Sequence, residues 1–310
     1  MSDSATSSHP AVQEQLDRLA RLSPGRDILG LERISALLAR LGHPERSLPP
    51  VLHVAGTNGK GSTCAFLRAA IEAAGLTAHV YTSPHLVRFN ERIRLAGRLI
   101  GDETLAALLA EALDAAAGME ISFFEATTAA AFLAFAREPA DACVVEVGLG
   151  GRLDATNVIP SPAVCGIAQL GLDHPTFLGE RLEQIAAEKA GIAKPAVPLV
   201  TLRYPQAVAE RVGRAAAAAA APWLPRGGDW DASVEAGKLQ YCDSHDRLAL
   251  PLPRLAGAHQ ANNAALAVAM LRHQDRLPVR EAAFRAAMGW AEWPARLQRL
   301  GPGPLHGLLP

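Results

Sequence analysis

A glycine-rich stretch that carries one lysine and two hydroxyl residues has the composition of a nucleotide phosphate loop. It reads G-T-N-G-K-G-S-T and consists of Gly56, Thr57, Asn58, Gly59, Lys60, Gly61, Ser62 and Thr63. Its glycines let backbone N–H groups approach a polyphosphate closely, and Lys60 supplies a positive charge for the outer phosphates. The spacing differs from G-x-x-x-x-G-K-[ST] because Gly61 separates the lysine from the serine. An ordinary glycine-rich turn is the alternative, but the lysine and the hydroxyls favour phosphate binding.

A buried acid in a later apolar run could hold a metal ion beside that loop. Glu146 lies inside the apolar run of residues 142–147, and burying a lone carboxylate is costly unless it is paired or metal-bound. Ser83 and His174 each follow a further apolar run, the position at which α/β sheets place ligand-binding groups of many kinds. An acid at the end of a strand downstream of a phosphate loop is typical of a Mg²⁺ site. A salt-bridged structural glutamate and a structural histidine are the alternatives.

A polar segment at residues 82–93, T-S-P-H-L-V-R-F-N-E-R-I, offers groups for an anionic substrate. His85 comes just after a strand, where α/β sheets place ligand-binding groups, and Arg88 and Arg92 could hold an anionic substrate. A solvated loop with a few charges is the alternative. Arg152 and Asp154 form a second polar group, just after the glycines that follow the Glu146 strand.

Two later helices carry polar residues at positions that need an explanation. The apolar stripe of residues 182–186 leads to Lys189, which must then be paired, functional or chemically modified, unless its amine reaches the surface. Gln260 and Asn263 are i, i+3 neighbours, so their amides lie on one helix face and could contact a nucleotide base. Capping of the helix start is the alternative for this pair.

The elements that must position these residues alternate between strands and helices along the chain. This order predicts an α/β fold with a mostly parallel sheet, helices on both faces and the phosphate loop at a strand end. Short strands and turns near residues 226–253 predict a small β excursion. Because parallel strands end at the same edge, we expect the loop and the polar residues above to meet there.

Composition excludes several classes of function. The 310 residues are 49% hydrophobic, and the net charge of −1 gives no bulk attraction to nucleic acid or to an anionic membrane. No apolar run approaches the roughly 18 residues of a membrane-spanning helix. The N-terminus lacks the apolar core of a signal peptide, and the four separated cysteines are typical of reduced thiols. We expect a monomeric cytoplasmic protein.

Taken together, the motifs resemble the folylpolyglutamate synthase/dihydrofolate synthase family of the Mur-ligase superfamily. They occur in family order between about residues 29 and 300 and read H-V-A-G-T-N-G-K-G-S-T, T-S-P-H-L-V-R-F-N-E-R-I, F-F-E-A-T-T, E-V-G-L-G-G-R-L-D-A-T-N, L-D-H, I-A-A-E-K-A-G-I, G-A-H-Q-A-N-N and W-P-A-R-L-Q. The S-P-H-L and G-L-G-G-R-L-D-A-T-N motifs separate this family from the cell-wall Mur ligases. The resemblance implies the central domain of a Mur ligase, ATP and Mg²⁺ as cofactors, and addition of L-glutamate to dihydropteroate or folate.

The resemblance also implies roles for individual residues. It implies that residues 56–63 and Arg296 hold the ATP phosphates, and that Gln260 and Asn263 contact the base. It implies Mg²⁺ ligation by Ser83, Glu146, His174 and, if carbamylated, Lys189. It makes Lys60, Lys189 and His174 the expected catalytic residues. It places pteroate binding at His85, Arg88, Phe124, Arg152 and Asp154.

The resemblance further implies a second α/β domain, which would follow the W-P-A-R-L-Q motif. We therefore expect a disordered N-terminus at residues 1–10, an ATP-binding domain at 11–300 and a linker at 301–310. Trp293 is expected on the surface that the second domain covers. Two alternatives remain open: a nucleotide-binding fragment without activity of its own, or another amino-acid ligase of the Mur type.

Overall fold

The computed structural model describes residues 6–22 and 29–295 of the chain. The helices are α1 (Pro10–Leu22), α2 (Glu32–Arg40), α3 (Lys60–Ala73), α4 (Asp102–Ala115), α5 (Phe123–Arg137), α6 (Pro175–Leu178), α7 (Leu182–Ala190), α8 (Gln206–Ala218), α9 (His259–Arg272) and α10 (Glu281–Trp290). The strands are β1 (Val51–Ala55), β2 (Ala78–Tyr81), β3 (Ile93–Leu95), β4 (Arg98–Leu99), β5 (Ala142–Glu146), β6 (Val164–Ile167), β7 (Leu199–Thr201), β8 (Trp223–Pro225), β9 (Trp230–Glu235), β10 (Lys238–Asp243) and β11 (Arg247–Pro251).

The main sheet has eight strands in the order β4-β3-β2-β5-β1-β6-β7-β8. All neighbours from β2 to β8 pair in parallel, and β3 and β4 extend one edge in antiparallel fashion. Strand β1 lies between β5 and β6, with Val54 level with Glu146 of β5. The predicted α/β architecture is confirmed, and the phosphate loop follows a central strand.

Helices cover both faces of this sheet because alternate residues of each strand point to opposite sides. Leu52 and Val54 of β1 join a core with residues of α3, α9 and α10. Val51 packs with residues of α1, α2, α4 and α5 on the other face, and Ala55 packs there with residues of α7 and α8. The predicted small β excursion is the antiparallel sheet of β9, β10 and β11, whose buried residues join the core with α3, α9 and α10.

Two elements of the structure go beyond the sequence-based expectations. Helix α3 begins at Lys60, so the loop lysine and both hydroxyl residues belong to its first turn. The β3–β4 hairpin was not predicted, because its strands are short and polar. Its turn has positive φ at Ala96 (45°) and Gly97 (85°), a two-residue pattern that suits the twist of a tight hairpin. The expected linker at residues 301–310 lies outside the described residues.

No helix in the described part of the chain is long and apolar enough to cross a bilayer.

Candidate active site

The phosphate loop is held in a fixed conformation by the segment that follows β6. Gly56 and Gly59 have φ values of 149° and 86°, which glycine adopts without steric cost. The backbone N–H groups of Thr57 and Asn58 both donate to the carbonyl of Gln169, at 2.9 and 3.0 Å. The Thr57 hydroxyl donates to the carbonyl of Gly171 at 3.0 Å. The loop therefore keeps its shape without depending on a ligand.

Lys60 begins α3 and folds back over the loop. Its Nζ donates to the carbonyl oxygens of Gly56 and Thr57, at 3.1 and 3.4 Å. The hydroxyl residues Ser62 and Thr63 are buried in the same helical turn, and Thr63 Oγ1 has no hydrogen-bond partner within the described part of the chain. An ammonium group, an orphaned hydroxyl and the unpaired N–H groups of a helix start are thus gathered at one point.

Two residues from the last third of the chain pack directly on this loop. A Cβ atom at Gly59 would lie 2.3 Å from Oδ1 of Asn263, and one at Gly61 would lie 2.3 Å from the indole of Trp293. Neither position has room for a side chain, which explains the glycine between Lys60 and Ser62. Trp293 is therefore partly buried against the loop, whereas the exposed tryptophan is Trp290, at 58%. The sequence carried no signal for this contact.

Glu146 stands at the end of β5, beside the phosphate loop. Its side chain is 4% exposed, and Oε2 accepts a hydrogen bond from the backbone N–H of Ser83 at 3.2 Å. Burial and the charge of Glu146 raise the pKa of the Cys64 thiol, and the charge of Lys60 opposes that shift. The carboxylate and the ammonium are therefore both within electrostatic reach of one side chain of α3.

His174 is half exposed, whereas Glu146 is buried. It has a left-handed backbone (φ 44°) and a side chain that is 52% exposed, with Nε2 3.4 Å from Oδ1 of Asp173. Among the residues that the structure describes, no three side chains of histidine, cysteine, aspartate or glutamate converge as metal ligands. Metal ligation by His174 stays a prediction.

Lys189 is buried, as the apolar stripe of α7 predicts. Its side chain is 2% exposed, and Nζ donates to the Gly56 carbonyl at 3.0 Å and lies 3.8 Å from Oδ2 of Asp173. Burial first, and the nearby charge of Lys60 second, lower the pKa of this amine to about 8. The structure thus joins Lys189 to the phosphate loop and raises the neutral fraction of its amine relative to an exposed lysine.

The predicted substrate segment is ordered by its own side chains. The Glu91 carboxylate accepts hydrogen bonds from the backbone N–H groups of residues 86, 87 and 88, at 2.7 to 3.1 Å. Arg88 forms an exposed ion pair with Asp102, donating to both carboxylate oxygens at 2.9 Å. His85 Nδ1 accepts from Nε of Arg92 at 2.9 Å. Arg88 is therefore paired within the protein, and Glu91 is a positioning residue that the sequence did not reveal.

The remaining predicted substrate residues surround the glycine turn after β5. Phe124 lies over Gly148, where a Cβ atom would be 2.4 Å from its ring. Asp154 is 3% exposed and accepts hydrogen bonds from the N–H groups of Leu149 and Thr156. Arg152 donates to the Glu188 carboxylate at 2.9 Å. Asp154 therefore shapes the turn, and Phe124 presents a ring beside it.

Gln260 and Asn263 lie on one face of α9, as the spacing predicted. Both are buried, and Nδ2 of Asn263 donates to Oε1 of Gln260 at 3.0 Å. Nε2 of Gln260 has no partner in the described part of the chain. An unsatisfied buried donor next to a phosphate loop fits an acceptor on a bound base. Arg296 lies outside the described residues.

These side chains suit a nucleotide and a hard divalent cation. Mg²⁺ prefers carboxylate, hydroxyl and phosphate oxygens, and the buried Glu146 carboxylate and the orphaned Thr63 hydroxyl provide such donors. The residues present thus fit Mg²⁺ together with the phosphates of ATP.

Comparison with protein-family models gave no match. Among curated proteins, the chain is 38% identical over 300 residues to the dihydrofolate synthase/folylpolyglutamate synthase of Bacillus subtilis, covering 89% of this chain and 67% of that protein. It is also 38% identical over 279 residues to the Escherichia coli protein of the same name, covering 89% and 64%. The chain thus spans about two thirds of the length of these relatives.

Solved structures that resemble this chain come from the same group of enzymes. E. coli FolC in complex with DHPP and ADP superposes with a TM-score of 0.87 at 37% identity, over 96% of this chain and 70% of that one. A bifunctional folylpolyglutamate synthase/dihydrofolate synthase with Mn, AMPPNP and L-glutamate bound has a TM-score of 0.83 at 33% identity, over 96% and 70%. On sequence, fold and site geometry, this chain belongs to the folylpolyglutamate synthase/dihydrofolate synthase family.

Proposed function

We propose that this chain is the ATP-binding part of a cytoplasmic, monomeric ligase that adds L-glutamate to dihydropteroate or folate. The observation that carries the proposal is the phosphate loop, with Lys60 folded over it and the Glu146 carboxylate at the end of the adjacent strand. The names and bound molecules of the related proteins support the choice of substrates.

The proposed reaction has two steps. The substrate carboxylate attacks the γ-phosphorus of ATP, which forms an acyl phosphate and releases ADP. The amine of glutamate then attacks the acyl carbon, the amide bond forms, inorganic phosphate leaves and the amine loses a proton. Both steps move negative charge between phosphate oxygens, so fixed positive charge at the phosphates is the main requirement for catalysis.

The residues of this chain meet that requirement in different ways. Lys60 would turn from the Gly56 and Thr57 carbonyls towards the outer phosphates, while the N–H groups of the loop hold the inner ones. Glu146 and the Thr63 hydroxyl would hold Mg²⁺, with Ser83 and His174 as further proposed ligands. The ion, when bound, neutralises the developing charge on the transferred phosphoryl group.

Lys189 is proposed to carry a carbamate. Its neutral amine would attack carbon dioxide, forming an N–C bond and losing a proton, and the product would be a carboxylate next to the phosphate loop. The lowered pKa of about 8 raises the neutral fraction that this reaction needs. The carbamate nitrogen keeps one hydrogen, so the bond to the Gly56 carbonyl can persist.

The organic substrates are assigned to the predicted residues around the two loops. Phe124 is proposed to stack on the pterin ring, and His85, Arg88, Arg152 and Asp154 are proposed to line or shape that site. Arg88 can leave its exposed ion pair with Asp102 at small cost, since exposed pairs are worth about 0–1 kcal/mol. Gln260 and Asn263 are proposed to hold the base, and Arg296 to reach the phosphates.

The test is ADP release measured with dihydropteroate or folate, with and without L-glutamate. The proposal predicts release that needs both organic substrates, most strongly in a protein extended to the full length of the relatives. Turnover with another amino acid in place of glutamate would support a different ligase of the Mur type. ATP binding without ligation in either length would support a nucleotide-binding module.

A further inference from the structure

Gly61 is a glycine inside a helix, and its own backbone conformation does not require one. It is the second residue of α3 and separates Lys60 from Ser62. Gly56 and Gly59 of the loop have positive φ, whereas Gly61 does not. Alanine is a much better helix former than glycine, so the lack of a side chain at this position needs another reason.

The indole of Trp293 supplies that reason, because it occupies the space of a side chain at Gly61. A Cβ atom there would lie 2.3 Å from Cζ2, 2.6 Å from Cε2 and 3.0 Å from Nε1 of the ring. These three atoms form one edge of the indole, so this edge rests on the backbone of the first turn of α3. Trp293 is half-buried, and its contact with Gly61 lies one residue from Lys60.

A rigid support holds the indole in place. Helix α10 packs against α3, and Ala291, which follows α10 directly, is buried in the same core. The backbone N–H of Ala291 donates to the Ala287 carbonyl at 3.0 Å. Pro294 comes after the tryptophan and has a fixed φ of its own. The packing of two helices therefore sets the position of the ring on Gly61.

The turn under the indole carries N–H groups that suit a phosphate. The first helical hydrogen bond of α3 runs from the Thr63 N–H to the Gly59 carbonyl, at 2.9 Å. The N–H groups of residues 60–62 therefore have no partner within the helix and can donate to an anion. Oδ1 of Asn263 packs on Gly59 as the indole packs on Gly61. The turn is thus restrained at both glycines, and fixed donors stabilise an anion better than mobile ones.

We propose that Trp293 is a positioning residue for the nucleotide phosphates: its indole braces α3 at Gly61 and holds the N–H groups of residues 60–62 ready for them. Because coupling between two binding events is reciprocal, a bound nucleotide in turn holds Trp293 on the helix. The segment that follows α10 is thereby coupled to the occupancy of the phosphate loop. The proposal rests on the nucleotide-binding part of the proposed function and is independent of ligation.

Calorimetric titration with Mg²⁺–ATP in a double-mutant cycle tests the brace. We expect Trp293→Ala and Gly61→Ala each to weaken binding about tenfold, the first by removing the indole and the second by displacing it. The double variant should bind within about twofold of Trp293→Ala, because the added methyl group then has nothing to displace. Trp290→Ala, at a tryptophan that is 58% exposed, is the matched control and should bind like the wild type.

Several results of this cycle would overturn the proposal. If the two substitutions acted independently, the double variant would bind about a hundredfold more weakly than the wild type. Wild-type affinity in a Trp293→Ala variant that circular dichroism shows to be folded would also contradict it. Trp293→Phe keeps a ring beside Gly61 and should recover most of the affinity, and failure to do so would refute a role for the ring. If Trp293→Ala does not fold, the cycle is run with Trp293→Leu.

Acrylamide quenching of tryptophan fluorescence tests the reciprocal effect. Saturating Mg²⁺–ATP should reduce the quenching of the wild type and of Trp290→Phe but not that of Trp293→Phe, because the nucleotide holds Trp293 on the helix. Equal quenching of the wild type with and without bound nucleotide would overturn the coupling. Nucleotide binding with this signature but without glutamate ligation would refute the proposed ligase and leave the brace standing. No saturable binding of Mg²⁺–ATP by the wild type would overturn both.

Discussion

Lys60 and Lys189 donate to the same backbone oxygen, the carbonyl of Gly56, one from four residues along the chain and the other from 133 residues along it. Because the two bonds are 3.1 and 3.0 Å long, the two ammonium nitrogens lie within about 6 Å of each other. Their charges repel at that distance, and burial adds to the cost of charging Lys189. One lysine is thus suited to hold phosphate as a cation, and the other to react as a neutral amine.

The proposed carbamate on Lys189 can be observed directly. In buffer with ¹³C-labelled bicarbonate near pH 8, we expect a carbamate carbon resonance in the NMR spectrum of the wild type. Lys189→Gln should abolish it, and Lys238→Gln, on the exposed start of β10, should retain it. A spectrum that is the same with and without Lys189 would contradict the modification.

The lowered pKa of Lys189 also predicts a dependence of stability on pH. The unfolded chain binds a proton at this amine up to its ordinary pKa of 10.5, whereas the folded chain releases it from about pH 8. In carbon-dioxide-free buffer, the free energy of unfolding should therefore rise between about pH 8 and 10.5. Lys189→Gln should flatten this rise in denaturant titrations, and an unchanged slope would show that the amine is not desolvated.

Glu146 is expected to hold the metal. Glu146→Gln keeps an acceptor for the Ser83 N–H group but removes the negative charge. We expect Mn²⁺ in the presence of ATP to bind about tenfold or more weakly to this variant, measured by electron paramagnetic resonance. Glu111→Gln, which alters an exposed ion pair with Arg137, is the control. Wild-type affinity in Glu146→Gln would mean that this carboxylate is structural.

His53 predicts acid sensitivity of the fold. Its side chain is fully buried, and burial first, with the charge of Lys194 second, lowers its pKa to about 3. Thr156 Oγ1 donates to Asp154, so it accepts from His53 Nε2, and Nδ1 is left without a partner in the described part of the chain. Protonation would place a charge in this buried site, within reach of the positive charge of Lys194.

The sign of the effect follows from the two pKa values. Below pH 6.5 the unfolded chain gains a proton at His53 that the folded chain refuses until about pH 3, so stability should fall as the pH falls through this window. His53→Gln keeps a donor for Thr156 and should remove about one proton from the uptake on unfolding. His245→Gln, which is exposed, is the control. Identical slopes for His53→Gln and the wild type would contradict the assignment.

Local patterns in the sequence predicted the elements and much of the site, because they depend on short spacings. The phosphate loop, the buried position of Lys189 and the common face of Gln260 and Asn263 follow from strand and helix periodicity. The contacts between residues that are distant in the sequence do not follow from periodicity. Nothing local in the sequence indicates that Trp293 covers Gly61 or that Lys189 reaches the Gly56 carbonyl, since these contacts depend on how distant elements pack.

The most direct test of the account is calorimetric binding of Mg²⁺–ATP to the wild type and to Lys60→Ala. We predict one saturable site in the wild type and an affinity about a hundredfold lower in Lys60→Ala, because a preorganised cation at the phosphates is lost. Circular dichroism should show the same fold in both, and Lys238→Ala should bind like the wild type. Unchanged affinity in folded Lys60→Ala, or no saturable binding by the wild type, would contradict the assignment of the phosphate loop.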